Sequence, residues 1–324
     1  MTQSDGLLFG IGISAATKPQ NNNTSLRQFW TELAKPFDNA FAFLTLEDEF
    51  AAQSNDGLDA ILLANWLAPH LNNIGIIAGA PLNFLEPFHV STAIATLDYV
   101  SEGRAGLLAQ RLTEDRNHET HKATGTLNGY PSLDQQALIT DTKDAIEVIR
   151  RLWDSWEDDA VIRDKQTQRF LDASKLHYIN FESENFRVLG PSITPRPPQG
   201  QPIIAATLSN VDDLTAVQSA DVVLVSQNQP LIKAASAASL VIADLTLSDK
   251  PDVREIIDNI TENKAWGAFG IRLLLSDPQS QSDFVLKELL PALHAHNLIR
   301  ETKGTTLRAR FGLPEALNRY STAA

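Results

Sequence analysis

Eight apolar runs, separated by segments that mostly show helical spacing of apolar residues, alternate along the 324-residue chain. We interpret the runs as strands and the intervening segments as helices. Strands separated in this way pair in parallel, because a parallel crossover needs a dozen or more residues. A closed (β/α)8 TIM barrel is therefore the first prediction, and an open doubly wound sheet is the alternative. The predicted strands are Leu7–Ile13, Phe41–Leu44, Ile74–Ala78, Arg104–Ala109, Ile203–Ala206, Val222–Val225, Leu240–Leu245 and Phe269–Leu275.

The spacing of apolar residues predicts that the segments between and after these strands are helices. For the helix Asp141–Trp156, Thr140 and Asp141 are the candidate N-caps. Two excursions interrupt the alternation, Leu112–Ser132 after strand four and Glu157–Gln201 before strand five. No linker divides the chain, so we expect one domain over residues 1–324. The predicted helices are Leu26–Lys35, Leu58–Leu71, Phe88–Val100, Asp141–Trp156, Val211–Ser219, Leu231–Ala238, Val253–Asn263 and Asp283–Asn297, and short strands are predicted at Phe181, Phe186 and Val188.

The charge and composition of the chain disfavour several classes of partner and site. A formal net charge of −13 repels nucleic acid backbones and anionic membrane surfaces. Cysteine is absent, which excludes disulfides, thiolate nucleophiles and cysteine-bound metals. No apolar run is long enough to cross a membrane, and the first residues lack the basic and apolar regions of a secretory signal. We therefore expect a cytoplasmic protein.

Four local features carry residue types used in binding or catalysis. Gly10-Ile11-Gly12 follows an apolar strand but lacks the third glycine of a dinucleotide-binding motif, which favours a plain strand end. His118 and His121 are three residues apart rather than four, which favours a polar loop over a metal site. Asp48 lies where strand two should end, at the active face of a barrel, and its alternative role is helix capping. His89 lies at a helix start, where the helix dipole favours a neutral imidazole, and its alternative role is structural.

Four stretches, in the same order as in the family, resemble the bacterial luciferase-like flavin monooxygenases. The branch in question contains nitrilotriacetate monooxygenase, dibenzothiophene sulfone monooxygenase and the pristinamycin synthase A subunit. The stretches span most of the chain, so the resemblance implies a TIM barrel. The matching segments are Glu86–Val90 with Ala95–Arg104, Val148–Trp156, Phe186–Pro191 with Pro198–Pro202, and Thr305–Pro314.

The resemblance also implies an activity, a cofactor and partners. Reduced FMN would be supplied by a separate reductase, and one oxygen atom of dioxygen would be inserted into a small organic substrate. The protein would hold the flavin and keep water away from it. Dimers are common in this superfamily, so we expect a homodimer or a heterodimer with a related subunit. Matching site residues remain at three positions, with His89 implied as catalytic and Asp48 and Ser209 as cofactor-binding.

Other positions depart from the family pattern. Gly79–Leu82 offers no hydroxyl where the family has Thr and Ser, and Leu107-Leu108 replaces a Trp-Asn pair. The phosphate loop after Pro202 keeps Ser209 but loses both glycines, and Asp212 and Asp213 add negative charge where a phosphate would bind. Asp141 to Asp144 stand where the family has an Arg-Tyr pair.

The chain is also shorter than the branch, near Leu112–Ser132 and Ser226–Leu240. Two hypotheses remain open: an FMN-dependent monooxygenase with an altered site, and a catalytically silent relative that serves as a partner subunit or binds another ligand. Binding of a deazaflavin such as coenzyme F420 is a third, and it requires the same phosphate loop.

Overall fold

The eight predicted strands form a closed parallel barrel in the computed structural model, which describes residues 6–21, 23–49, 57–112 and 134–321. The barrel strands are β1 Leu8–Ser14, β2 Phe43–Glu47, β3 Gly75–Pro81, β4 Ala105–Gln110, β9 Ile203–Leu208, β10 Val222–Ser226, β11 Leu240–Thr246 and β12 Gly270–Leu274. Neighbouring strands follow the order β1-β12-β11-β10-β9-β4-β3-β2, so the TIM barrel prediction is confirmed and the open sheet is wrong.

Helices surround the barrel and bury their apolar faces against it. None of the helices in the described part of the chain is long and apolar enough to cross a membrane. The helices are α1 Leu26–Ala34, α2 Ala60–Leu67, α3 Pro87–Val100, α4 Gln135–Asp154, α5 Leu214–Val217, α6 Gln229–Ser236, α7 Val253–Trp266, α8 Pro278–Phe284, α9 Leu290–Ala295 and α10 Leu307–Arg310, with a π-helical segment Val285–Leu289 between α8 and α9.

The excursion before strand five carries two small antiparallel sheets. One pairs β5 (Val161–Asp164) with β6 (Arg169–Leu171), and the other pairs β7 (Phe181–Glu182) with β8 (Arg187–Val188). The second sheet confirms the strands predicted at Phe181 and Val188, whereas Phe186 lies in the connection between them. The first sheet was not predicted, because its strands are short and mostly exposed and show no alternation of buried and exposed residues. The other excursion, Leu112–Ser132, lies almost entirely outside the described residues.

The start of α4 differs from the sequence prediction. The helix begins at Gln135, where the Asp134 carboxylate accepts a hydrogen bond from the Ala137 N–H, so the N-caps proposed at Thr140 and Asp141 are wrong. Asp141 lies within the helix, and its Oδ2 accepts a hydrogen bond from Asn83 Nδ2 at 2.8 Å. The predicted start at Asp141 is therefore too late, since Leu138 and Ile139 in the first turns of α4 are already buried.

The two glycines of Gly10-Ile11-Gly12 are required by packing inside the barrel. A Cβ atom at Gly10 would lie 2.3 Å from the ring of Phe43, and one at Gly12 would lie 2.5 Å from Leu274. Both glycines lie within β1 and not at a loop that faces a ligand. The structure therefore supports the plain-strand interpretation of this motif over phosphate binding.

The C-terminal segment closes the amino end of the barrel. The side chains of Leu307 and Phe311 are fully buried in the apolar interior, and the rings of Phe311 and Phe43 lie 5.4 Å apart. α10 is capped by Thr306, whose side chain accepts a hydrogen bond from the Ala309 N–H. These two side chains fill the barrel axis at its amino end, and the carboxyl ends of the strands form the cavity described next.

Candidate functional site

A cavity of about 270 Å³ lies at the carboxyl ends of β2, β4, β9, β11 and β12. We call it the mouth cavity. This is the end of a TIM barrel at which ligands bind. It is lined by Glu47, Leu108, Ala109, Gln110, Arg111, Thr142, Ala206, Thr207, Ser209, Ala216, Val217, Asp244, Arg272 and Leu274.

A buried ionic network forms one wall of the mouth cavity. Arg272 on β12 is 2% exposed, and its Nε and Nη2 each donate to a different oxygen of Asp244 at 2.7 Å. Its Nη1 donates to Glu47 Oε1 at 2.9 Å and to Thr45 Oγ1 at 3.0 Å. Burial alone would lower the pKa of Arg272, but Asp244 and Glu47 outweigh it and raise that pKa above the usual value. The guanidinium is therefore charged and fully committed to its partners.

The network leaves negative charge facing the cavity. It combines two carboxylates with one guanidinium, and the Glu47 side chain remains 35% exposed while Asp244 is buried. A ligand group placed against this wall meets a carboxylate and not a free cation. The wall therefore favours hydrogen-bond donors and positive charge in a ligand.

The second arginine of the cavity is also paired. Arg111 follows β4, and its Nη2 donates to Asp213 Oδ2 at 2.7 Å while its Nη1 donates to Gln135 Oε1 at 2.9 Å. Asp213 directly precedes α5, which has only four residues. The segment that would receive a flavin phosphate thus begins with a carboxylate bound to the nearest guanidinium.

The Gln110 side chain links the end of β4 to the residue that follows β2. Its side-chain amide exchanges two hydrogen bonds with the backbone of Asp48, with Oε1 accepting from the N–H at 2.9 Å and Nε2 donating to the carbonyl at 3.1 Å. The amide passes over Gly79, where a Cβ atom would lie 2.2 Å from Gln110 Oε1. Backbone atoms also crowd this position, since the same Cβ would lie 2.7 Å from the Asp48 backbone N and 2.9 Å from the Leu46 carbonyl O, so a glycine is favoured here.

The three residues selected from the sequence lie in different places. Ser209 lines the mouth cavity. The Asp48 carboxylate accepts a hydrogen bond at 3.0 Å from the N–H of Ala60, the first residue of α2, whose N-cap is Asp59. His89 is exposed near the start of α3, outside the residues that line the cavity, and its backbone N–H donates to Glu86. The structure does not bring these three side chains together.

Sequence reasoning missed the charged residues that dominate the cavity. Arg272 and Asp244 are single charges within otherwise apolar predicted strands, which is the signal that could have identified them. Arg111 was missed because it lies between a predicted strand and a predicted loop, where a charged residue is common. In the described part of the chain, no group of three or more His, Asp or Glu side chains is arranged to hold a metal ion, and His118 and His121 lie outside it.

Comparisons with known proteins point to one family. The model of the luciferase-like monooxygenase family matches residues 34–248. N-acetyl-S-(2-succino)cysteine monooxygenase of Bacillus subtilis (strain 168) is 33% identical over 211 residues, covering 62% of this chain and 46% of the relative. Nitrilotriacetate monooxygenase component A of Aminobacter aminovorans is 34% identical over 183 residues, covering 55% and 38%. Dibenzothiophene-sulfone monooxygenase of Rhodococcus erythropolis is 31% identical over 138 residues, covering 43% and 29%.

These alignments span less than half of the length of each relative. The fold has a solved counterpart in riboflavin lyase (RcaE), with a TM-score of 0.78 at 18% identity over 96% of both chains. The family model covers well over half of the chain and extends from the end of α1 to just beyond β11. The chain therefore belongs to the luciferase-like monooxygenase family.

Proposed function

We propose that this protein binds a small organic molecule in the mouth cavity and does not hold FMN there through its phosphate. One observation carries the proposal: both arginines that line the cavity, Arg111 and Arg272, are already paired with carboxylates. A phosphate dianion bound in a protein needs charged or backbone donors that are free to face it. Within the described residues, the cavity's guanidinium groups are committed to Asp213, Asp244 and Glu47.

The geometry of the phosphate segment supports the same proposal. A helix of four residues has little dipole to offer an anion, and Asp213 at its start adds like-charge repulsion. The cavity of about 270 Å³ also lies just below the range of about 300–1,000 Å³ that is usual for ligand pockets. The residues described at the mouth therefore do not fit FMN in the manner implied by the family resemblance.

The walls suggest the kind of ligand that would bind instead. Leu108, Ala206 and Leu274 supply apolar surface to the cavity, while Glu47 presents a carboxylate. A neutral or cationic molecule with an apolar body matches both features. In this proposal the protein is a cytoplasmic partner subunit or ligand-binding relative, as a homodimer or as a heterodimer with a related chain.

A second candidate function is FMN-dependent monooxygenation of a small organic substrate, with reduced flavin delivered by a reductase. Membership of the family favours it, as does the relative that is named as component A of a monooxygenase. The proposed site residues in this case remain His89, Asp48 and Ser209, of which Ser209 already lines the cavity.

A titration of FMN fluorescence with the purified protein separates the two candidates. We expect no saturable quenching up to about 1 mM FMN, which corresponds to a binding free energy weaker than about −4 kcal/mol. Saturable quenching at micromolar protein would contradict the first candidate and support the monooxygenase.

Releasing Arg111 should create affinity for FMN. In the variant Asp213→Asn the carboxylate that engages the guanidinium is removed, so Arg111 becomes free to face a phosphate. We expect FMN to bind at least about tenfold more tightly than to the unmodified protein, a gain of about 1.4 kcal/mol. The matched control is Asp283→Asn, which makes the same charge change at an exposed pair with Lys287. Equal FMN affinity in both variants would mean that the pairing of Arg111 does not limit flavin binding.

A further inference from the structure

A second cavity lies at the opposite end of the barrel, beside the amino ends of β1 and β2. Its volume is about 440 Å³, and we call it the basal pocket. The C-terminal segment forms part of its wall, because residues 299–304 pass alongside the start of β1. It is lined by Leu8, Phe9, Asp38, Asn39, Ala40, Phe41, Ala42, Asn73, Leu290, His294, Ile299, Arg300, Glu301, Thr302, Gly304 and Arg310.

Two half-buried arginines in this pocket lack the carboxylate partner that most of the other buried or half-buried arginines have. Arg300 donates from Nε to the Gly6 carbonyl at 3.0 Å and lies over the ring of Phe269, 4.2 Å from its centroid. Arg310 donates only to backbone carbonyls, those of Asn73, Gly304 and Thr305. Among the described residues, neither guanidinium forms an ion pair with a carboxylate.

This arrangement is unusual for the chain, which has far more carboxylates than basic groups. Elsewhere in the described part, most of the buried or half-buried arginines form ion pairs, namely Arg111, Arg150, Arg151, Arg196, Arg272 and Arg308. Burial lowers the pKa of Arg300 and of Arg310, because it removes part of each guanidinium from water. Partly buried charges are normally paired.

The carboxylates of the basal pocket do not supply that partner. Asp38 accepts hydrogen bonds from the backbone N–H groups of Asn72, Asn73 and Ile74, so both of its oxygens are used. Glu301 is exposed. Burial lowers the pKa of Arg310 and the charge of the buried Arg104 lowers it further, while the charge of Asp38 opposes the shift without reversing it.

We propose that the basal pocket binds a small organic anion whose carboxylate or phosphate group faces Arg300 and Arg310. A guanidinium is suited to both groups because its planar N–H donors match their oxygen atoms. The apolar walls at Phe41, Leu290 and Ile299 would contact the rest of the ligand. The backbone of Arg300 is fixed by its N–H bond to the Leu7 carbonyl at 2.8 Å, so the site is preformed at this position. Catalysis in TIM barrels takes place at the other end, so the ligand would act as a regulator or stabiliser.

Calorimetric titration of the whole protein with two probes tests this site. Inorganic phosphate and hexanoate are titrated separately at constant ionic strength, so that a preference for either anionic group is measured directly. We expect saturable binding of at least one probe at a single site, with at least a tenfold loss of affinity in Arg300→Gln and in Arg310→Gln. The matched control is Arg254→Gln, which removes an exposed arginine near the start of α7 and should leave the affinity within twofold.

A conservative variant keeps the test decisive if a glutamine variant fails to fold. Arg300→Lys retains the charge but loses the planar fork and its position over Phe269, so we expect binding weaker than in the unmodified protein but stronger than in Arg300→Gln. Absence of saturable heat at about 10 mM of both probes would overturn the proposal. Equal binding by the unmodified protein and a folded Arg300 or Arg310 variant would also overturn it. Because the basal pocket and the mouth cavity lie at opposite ends of the barrel, the result is independent of the FMN titration.

Discussion

Replacing Asp244 with alanine is expected to lower the free energy of unfolding by about 3 kcal/mol or more. The substitution leaves Arg272 buried within the barrel with only Glu47 and Thr45 as partners. Removing one member of a buried ion pair is costly, because the remaining charge keeps its desolvation penalty and loses most of its attraction. Glu47 retains one contact with the guanidinium, which limits the loss. Urea unfolding, followed by circular dichroism, gives the difference directly.

Two further variants identify the cause of that loss. Asp283→Ala removes one partner of an exposed pair with Lys287 and should cost less than about 1 kcal/mol, since surface ion pairs contribute little. The double variant Asp244→Leu with Arg272→Met replaces both charges by apolar groups and should recover much of the stability. If Asp244→Ala cost no more than Asp283→Ala, the network would not be an important part of the barrel interior.

The barrel could be predicted from the sequence because each of its strands must be apolar on both faces, and this pattern recurs along the chain. A strand buried on both faces reads as a continuous apolar run, and runs such as Val222–Val225 and Leu240–Leu245 match β10 and β11 within one residue at each end. The small sheet of β5 and β6 could not be found in this way, since residues such as Arg163 and Phe170 are exposed and show no periodic burial.

The candidate site was predicted less well, because its geometry depends on pairing between distant strands. Arg272 and Asp244 meet only because β11 and β12 are neighbours in register, with Asp244 directly opposite Arg272. The same holds for Arg111 and Asp213, which are far apart in the sequence but meet at the mouth. Periodicity identifies which residues are buried, but it does not identify which buried charges are partners.

The two ends of the barrel differ in how they use arginine. At the mouth, where the family resemblance implies a phosphate, Arg111 and Arg272 are held by carboxylates. At the base, Arg300 and Arg310 lack such partners among the described residues. The guanidinium groups that could pair with an added anion therefore lie at the amino end of the barrel, whereas TIM barrels carry out catalysis at the carboxyl end. Both proposals therefore rest on the same criterion, which is whether a carboxylate of the protein already pairs with the arginine.

The stability of the protein is expected to fall by about 3 kcal/mol, through Asp98 alone, as the pH rises from about 4 to above 6. The carboxyl group of Asp98 is completely buried beside Gln199 and Ala105, and burial raises its pKa from 3.8 to about 6, although the hydrogen bonds it accepts oppose that shift. Because the pKa is raised in the folded state, the contribution is fully present below the unfolded value of 3.8 and is lost as the pH passes through about 6.

The variant Asp98→Asn isolates this contribution from the other titrating groups. Asparagine cannot ionise, so the difference in unfolding free energy between the unmodified protein and the variant should change by about 3 kcal/mol between pH 4 and pH 7. Asp38, whose pKa is lowered because its backbone hydrogen bonds outweigh burial, contributes with the opposite sign, but it is present in both proteins and cancels. The exposed Asp249→Asn serves as the matched control. A difference that stayed constant with pH would show that Asp98 is ionised throughout, and that its hydrogen bonds from Gln199 and Ala105 outweigh its burial.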